Sequence, residues 1–397
     1  MHRRVSVLVV CVLATLSWEA SAQHLPEGVW VLSGGYARID SGNDGYSNSG
    51  KEQPKLIQTG FGPLYFGALL AGTGGITPPG VTTNFSNVDL RTRGEVYSLA
   101  AHYGSSEDLT LGVIARFANV TTSINGRDTT DFAVVKGLVQ TSGSVVDEAT
   151  LNDELLTLDV EGKYWYEDEF LDDDTRRKAA FVFGATYRGA VNIRENLVKF
   201  ALVELARMNR PPYLRAGYEG QMQWGAGDDR DVIELNYGVQ AQYHFSGRTN
   251  TANSAAILAN LSTGGASAFP VIDDVRSDAH LGAEAFINVS NNVWRGLSFG
   301  TGLSWHYEAS TDYSKISATG TPTDAFLVTG RDAEERGYLH VTAEYDAIQE
   351  YQRGEWSMPW TLALEIRDSI YGRNLSELSI VALRLSVPVT RPKGSAG

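Results

Sequence analysis

The sequence predicts an all-β chain that closes into a transmembrane, antiparallel, up-and-down β-barrel of about 12 strands, with short periplasmic turns and long external loops. Three observations predict it. Segments of about 11 to 15 residues alternate strictly between apolar and polar positions, the period of a strand with two unlike faces. The connections between them alternate in length, short after every even-numbered segment and longer after every odd one, the topology of a barrel whose two rims face different compartments. Beyond the first twenty residues no apolar run approaches the roughly 20 residues a spanning helix needs.

The amino terminus comes first. Met1, His2, Arg3 and Arg4 precede an apolar run from Val5 to Leu16, and Ala20-Ser21-Ala22 supplies small residues for cleavage. This pattern predicts a signal peptide over residues 1–22, cleaved after Ala22, and export to the outer membrane of a Gram-negative envelope. Cys11, the only cysteine, lies inside it, so the rest of the chain has no disulfide framework and no thiolate metal site. The whole chain carries 33 basic and 47 acidic residues; without Arg3, Arg4 and Glu19 these become 31 and 46, a net charge of −15. That balance points away from nucleic acid as a partner, because phosphate binding needs clustered Lys and Arg.

The barrel is expected over residues 23–389, with strands at 29–40, 93–103, 109–123, 155–166, 179–193, 213–225, 232–245, 279–290, 297–308, 337–346, 356–367 and 377–389. The clearest is the seventh. Ile233, Leu235, Tyr237, Val239, Ala241, Tyr243 and Phe245 alternate with Glu234, Asn236, Gly238, Gln240, Gln242 and His244. The fourth sets Leu156, Leu158, Val160, Gly162, Tyr164 and Tyr166 against Thr157, Asp159, Glu161 and Lys163, and the sixth repeats the scheme with Leu214, Ala216, Tyr218, Met222 and Trp224 against Arg215, Glu219, Gln221 and Gln223. Such segments are about twice the usual length of strands in soluble sandwiches. Closure follows from the medium, since an open sheet edge in lipid would leave backbone groups unpaired at several kcal/mol each. Aromatics near the strand ends, among them Trp30, Tyr103, Phe117, Tyr164, Tyr166, Trp224, Phe245, Trp305, Tyr307, Tyr345 and Trp360, are expected to face lipid as interfacial girdles.

Two loops and the tail carry their own signals. The first loop, 41–92, holds Phe61, Leu64, Tyr65, Phe66 and Leu69 among glycines at 60, 62, 67 and 72, too apolar to stay in water; we expect 55–79 to fold inward as a plug at the external mouth. The segment 255–270 is a second apolar, glycine-containing stretch. Residues 390–397 form a polar tail.

Function is expected on the inward face. It collects His102, Arg116, Asp159, Glu161, Lys163, Arg188, Arg215, Glu219, Glu234, His244, Glu284, His306, Glu308, His340, Glu344, Glu365 and Arg367, charges of both signs on neighbouring strands that can pair across the lumen. Glu161, Lys163, Arg188, Arg215, Glu219 and Glu234 are expected to form a selectivity or bridging cluster, and His244, Glu284, His306, Glu344 and Arg367 to line the pore with them. No HExxH, GxSxG, Walker A loop or GxGxxG opening a helix occurs. A barrel hydrolase would need Ser and His together on the lipid face, and His102, His244, His306 and His340 all fall on the polar one, so no catalytic residue, cofactor or metal is expected. Two readings follow: a passive channel or facilitator for a small solute, or a structural barrel with a lumen closed by salt bridges and loops that dock another envelope protein.

The hairpin His102-Tyr103-Gly104-Ser105-Ser106-Glu107-Asp108-Leu109-Thr110-Leu111-Gly112-Val113 resembles a recurrent hairpin of the outer-membrane phenol-degradation-pathway transporter family. Pro26-Glu27-Gly28-Val29-Trp30 and the run from Lys163-Tyr164-Trp165-Tyr166 through Leu171 to Arg188 are similar in style. The resemblance implies diffusion of small hydrophobic or aromatic compounds, as in the fatty-acid and aromatic-hydrocarbon uptake channels. One departure is the last strand, which ends Leu385-Ser386-Val387-Pro388-Val389, where such barrels commonly finish on an aromatic residue.

Overall fold

A computed structural model describes residues 24–41, 44–46, 52–54, 88–126, 148–172, 174–188, 212–225, 232–249, 271–294, 296–319, 330–331, 333–373 and 377–390. Residues 1–22, both apolar loop segments with Phe61, Leu64, Tyr65, Phe66 and Leu69, and the tail beyond Thr390 lie outside them.

Twelve strands form one closed barrel: β1 (Val29–Asp40), β4 (Val88–Gly104), β5 (Leu109–Gly126), β6 (Glu148–Phe170), β7 (Thr175–Arg188), β8 (Tyr213–Trp224), β9 (Ile233–His244), β12 (His280–Trp294), β13 (Leu297–Glu308), β16 (Glu334–Asp346), β17 (Thr361–Arg373) and β18 (Ser379–Thr390). They pair antiparallel in chain order, and β18 closes on β1 from Val29↔Thr390 to Asp40↔Ser379. Closure leaves the barrel no free edge, the condition lipid imposes. Pro388 pairs with Val31, and the β17–β18 ladder stops at Ser386, so the missing N–H falls where β18 has a neighbour on one side only.

The alternation read from the sequence becomes two surfaces. Leu32, Leu99, Val113, Val160, Phe181, Val239, Leu281, Phe299, Val341, Leu364 and Leu383 are exposed on the outer face, while Glu161, Lys163, Arg215, Gln240, His244, Arg336 and Glu365 are buried inside. In water an apolar belt of this extent would drive association; in lipid it is the required wall. Near one rim Trp30 stacks on Tyr103 and Tyr166 on Phe181, and near the other Trp305 stacks on Tyr307. At the latter rim Glu95 accepts hydrogen bonds from Tyr36 and Tyr97, and Glu335 from the Trp305 indole and Tyr371.

One rim has the short connections, 105–108, 171–174, 225–232, 295–296 and 347–360; the other has the longer 41–87, 127–147, 189–212, 245–279 and 309–333, with the shorter 374–378. We call these the turn end and the loop end. Gly296 shows why one turn is so tight. Its φ is +80°, and a Cβ there would lie 2.1 Å from the Asp346 carbonyl oxygen.

Several expected boundaries shift. β4 starts at Val88 and β6 runs from Glu148 to Phe170, well outside the apolar windows that suggested them, because polar residues continue the ladder beyond the lipid band. The eleventh strand occupies Thr361–Arg373, displaced from the expected 356–367; 347–360 is instead a connection containing a short helix α1 (Ile348–Gln352). The loop end also carries short strands the sequence did not announce. β2 (Asp44–Tyr46) pairs with β3 (Glu52–Pro54), while β10 (Gly247–Thr249), β11 (Val271–Ser277), β14 (Thr311–Thr319) and β15 (Gly330–Arg331) form a separate sheet in the order β10-β11-β14-β15. Leu156, expected on the apolar face, is buried, because the ladder slips between Arg116↔Thr157 and Phe117↔Leu155 and makes Leu156 the extra residue of a bulge.

Candidate functional site

The inner surface is built stave by stave from the polar half of each alternation. On the β4–β9 side, Arg116 pairs with Asp159 and donates to Thr157 at 3.2 Å, and Asp159 also accepts from the Thr186 hydroxyl. One layer further on, Glu161 meets His102 Nε2 at 3.1 Å and accepts from Arg215 Nη2 at 2.5 Å. Lys163 Nζ donates to Glu219 Oε2 at 2.6 Å, and Gln240 Nε2 donates to Glu219 Oε1 at 3.2 Å.

Small residues beneath make this possible. Glu161–Arg215 and Lys163–Glu219 both reach from β6 to β8 over β7, which presents Gly184 and Val182 there. A Cβ at Gly184 would fall 3.0 Å from Arg215 Nε, and one at Gly112 would fall 2.5 Å from the His102 ring. The long side chains therefore lie flat along the wall.

The β12–β18 side repeats the scheme. His306 Nδ1 meets Glu284 at 3.0 Å, His340 lies 3.4 Å from Glu365, Arg367 also pairs with Glu365, and Arg384 lies 3.6 Å from Glu344. Each of these pairs, on both sides, joins staves at most two apart. These pairs thus run along the wall, because neighbouring staves bring opposite charges within reach of each other.

At the loop end, His244 of β9, His280 of β12 and Glu308 of β13 converge, all buried, with one ligand-type atom of each within 4.8 Å of the others. His280 Nε2 meets Glu308 Oε1 at 2.7 Å, and the His244 and His280 rings stack with centroids 4.5 Å apart. At the turn end, Leu25 is buried, its N–H donating to Thr110 Oγ1 at 3.4 Å, and the His24 ring packs on Trp165 at 5.5 Å, so the entering chain partly covers this rim.

Of the expected cluster, the structure brings together Glu161, Lys163, Arg215 and Glu219, and adds His102 and Gln240. Glu234 stands apart, accepting from Gln223 and Asn236. Arg188 pairs in register with Thr157, and its side chain is outside the described set. His244 reaches Glu308 through His280, while His306 and His340 take Glu284 and Glu365. Sequence reasoning missed His280, Glu334, Arg336 and Arg384. A signal was there: counting back by twos from Glu284 reaches His280, and from His340 reaches Arg336 and Glu334.

A closed antiparallel barrel with an apolar outer belt and a charged inner wall defines a transmembrane β-barrel of the outer-membrane kind. A crystal structure of an outer membrane channel from Pseudomonas putida F1 is similar in fold, with a TM-score of 0.52 and 11% identity over 93% of this chain and 98% of that one. The transport unit of the autotransporter AIDA-I from Escherichia coli gives a TM-score of 0.41 and 10% identity over 95% of each chain. The translocator domain of the autotransporter NalP from Neisseria meningitidis gives 0.36 and 9% over 92% of this chain and 90% of that one. No family model matches the sequence, and no curated protein matches it. At 11% identity the first likeness establishes a shared barrel.

Proposed function

We propose that this chain is a passive outer-membrane channel or facilitator for a small solute, with the turn end periplasmic and the loop end external. The observation that supports the reading is the course of the inner-wall ion pairs, which run along the wall between staves at most two apart. Strand number fits this. Eight strands enclose little more than their own side chains and sixteen or more leave an aqueous channel, so at twelve the disposition of the lining decides the outcome. A wall of paired charges keeps the lumen wetted while presenting little net field, which suits a neutral or weakly polar solute; small aromatic compounds are the class that the hairpin from His102 to Val113 implies.

Swelling of proteoliposomes tests this. Vesicles holding the barrel should admit small neutral solutes, phenols among them, faster than protein-free vesicles, and equal rates would count against a channel.

A second reading is favoured by a specific observation: Lys163, Glu161 and Arg336 are only 1%, 4% and 0% exposed, as in a packed interior. A barrel closed in this way would serve as a structural element or as a docking point for another envelope protein. Crosslinking in intact envelopes separates the two, since a stoichiometric partner supports docking.

A further inference from the structure

We propose that His244, His280 and Glu308 form a binding site for a single divalent transition-metal ion of the zinc class on the inner wall at the loop end. The site stands on its own geometry and holds whether or not the lumen conducts.

The donor set comes from three consecutive staves, β9, β12 and β13, with ligand atoms already within 4.8 Å of one another. Two imidazoles and one carboxylate, with a position left for water or an anionic solute, is a donor set zinc accepts. With metal–ligand bonds of about 2.0–2.1 Å, tetrahedral ligand atoms stand roughly 3.3 Å apart, so an ion would widen the 2.7 Å His280–Glu308 contact while the third donor, within 4.8 Å, is brought in by side-chain rotation.

Tautomer chemistry at His280 makes the stronger case. Its Nδ1 lies 3.1 Å from the Asp278 carbonyl oxygen, which can only accept, so Nδ1 carries a proton. In the neutral ring Nε2 is then the lone-pair nitrogen, and it faces Glu308 Oε1 at 2.7 Å. Two acceptors at that distance repel unless a proton or a metal ion lies between them. An Nδ1–H held by a carbonyl is also the outer contact that orients metal-ligating histidines. His244 brings a second imidazole to the same spot, its ring centroid 4.5 Å from that of His280; with only 5° between the planes, one ring must turn for both in-plane lone pairs to meet at one ion.

Space is reserved there too. A Cβ at Gly282 would fall 3.1 Å from His244 Nε2 and 3.0 Å from Gln242 Oε1, so the absence of a side chain on β12 leaves room for the 3.2 Å contact between those two atoms, which an ion bound at Nε2 would replace. Glu334 stands opposite Glu308 in register, and both are buried together with Arg336, two residues further along β16.

The test uses the untagged, refolded full-length barrel in detergent, stripped with chelator and equilibrated with zinc salt. We expect one equivalent of zinc retained per chain. Affinity should fall roughly 10–100-fold or more in His280→Ala and in Glu308→Gln, and stay unchanged in His24→Ala at the opposite rim. Copper(II) bound to the unaltered protein gives a second readout that needs no variant: its paramagnetic resonance spectrum should show coupling to two imidazole nitrogens. Absence of stoichiometric zinc, retention of full affinity in His280→Ala, or a copper spectrum lacking two nitrogens would each overturn the assignment, leaving His280–Glu308 a proton-bridged pair.

Discussion

Replacing Lys163 by Met keeps the length of an aliphatic stem and deletes one charge. In the folded barrel Lys163 Nζ lies 2.6 Å from Glu219 Oε2, with side-chain exposures of 1% and 9%, so the change leaves Glu219 buried with Gln240 as its described donor. Removing one member of a buried pair typically costs about 3–5 kcal/mol, because the remaining charge has lost both water and partner. At about 1.4 kcal/mol per decade, that is roughly a hundred- to four-thousand-fold shift in the unfolding equilibrium. The double variant Lys163→Met/Glu219→Leu should recover most of the loss, since an apolar replacement of a whole buried pair is often neutral or better. Urea unfolding of the refolded barrel in lipid vesicles, followed by tryptophan fluorescence, measures the unaltered protein, Lys163→Met, Glu219→Leu and the double variant. A single-variant cost below about 1 kcal/mol, as for solvent-exposed pairs, would refute the reasoning. So would a double variant whose loss equals the sum of the two single losses, because it would show no coupling.

Other expectations follow from the same structure. Arg215→Gln leaves Glu161 with His102 as its described partner and should shift ion preference toward cations; unchanged reversal potentials in a salt gradient would remove Arg215 from the pore lining, and Arg188→Gln is tested the same way. Gly104→Ala would set a Cβ 2.1 Å from the Pro26 carbonyl oxygen, a backbone clash worth about 1–3 kcal/mol, so the amide of Gly28, which donates to Gly104 at 2.8 Å, should exchange faster with deuterium. At the 171–174 turn, hydrogen bonds from the Asp174 and Thr175 N–H groups hold the Asp172 carboxyl below its ordinary pKa of 3.8. A depressed folded pKa contributes stability above the unfolded value and loses it as pH falls through the folded one, so protection of the Thr175 amide should persist at neutral pH and fade only below about pH 4. Deleting 55–79 should leave the barrel folded and admit solutes the intact protein excludes; unaltered permeability would dispose of the plug.

What the sequence made legible was whatever depends on period two. In β9 the positions from Gly238 to His244 alternate between buried and exposed as their parity assigns, because lipid on one side and a polar lumen on the other leave no register for a slip. Leu156 fails for a local reason, a bulge that adds a residue without leaving a mark in the composition. The 356–367 strand fails because Trp356 and Trp360 resemble a strand end but belong to the aromatic cluster of the connection, where their rings pack edge to face at 5.4 Å. Pairing partners were harder. Lys163–Glu219 spans an intervening stave and depends on the small residues of β7, so no reading of β6 alone could assign it. His280 lay inside the expected 279–290 strand, but its partner Glu308 stands on the next strand, so period two alone did not bring the two together.

Conductance of the purified, untagged barrel in planar bilayers tests the central claim most directly. The account predicts discrete current steps that grow with salt concentration and are altered by Arg215→Gln. A correctly folded barrel that inserts, passes no current and admits no solute would contradict it.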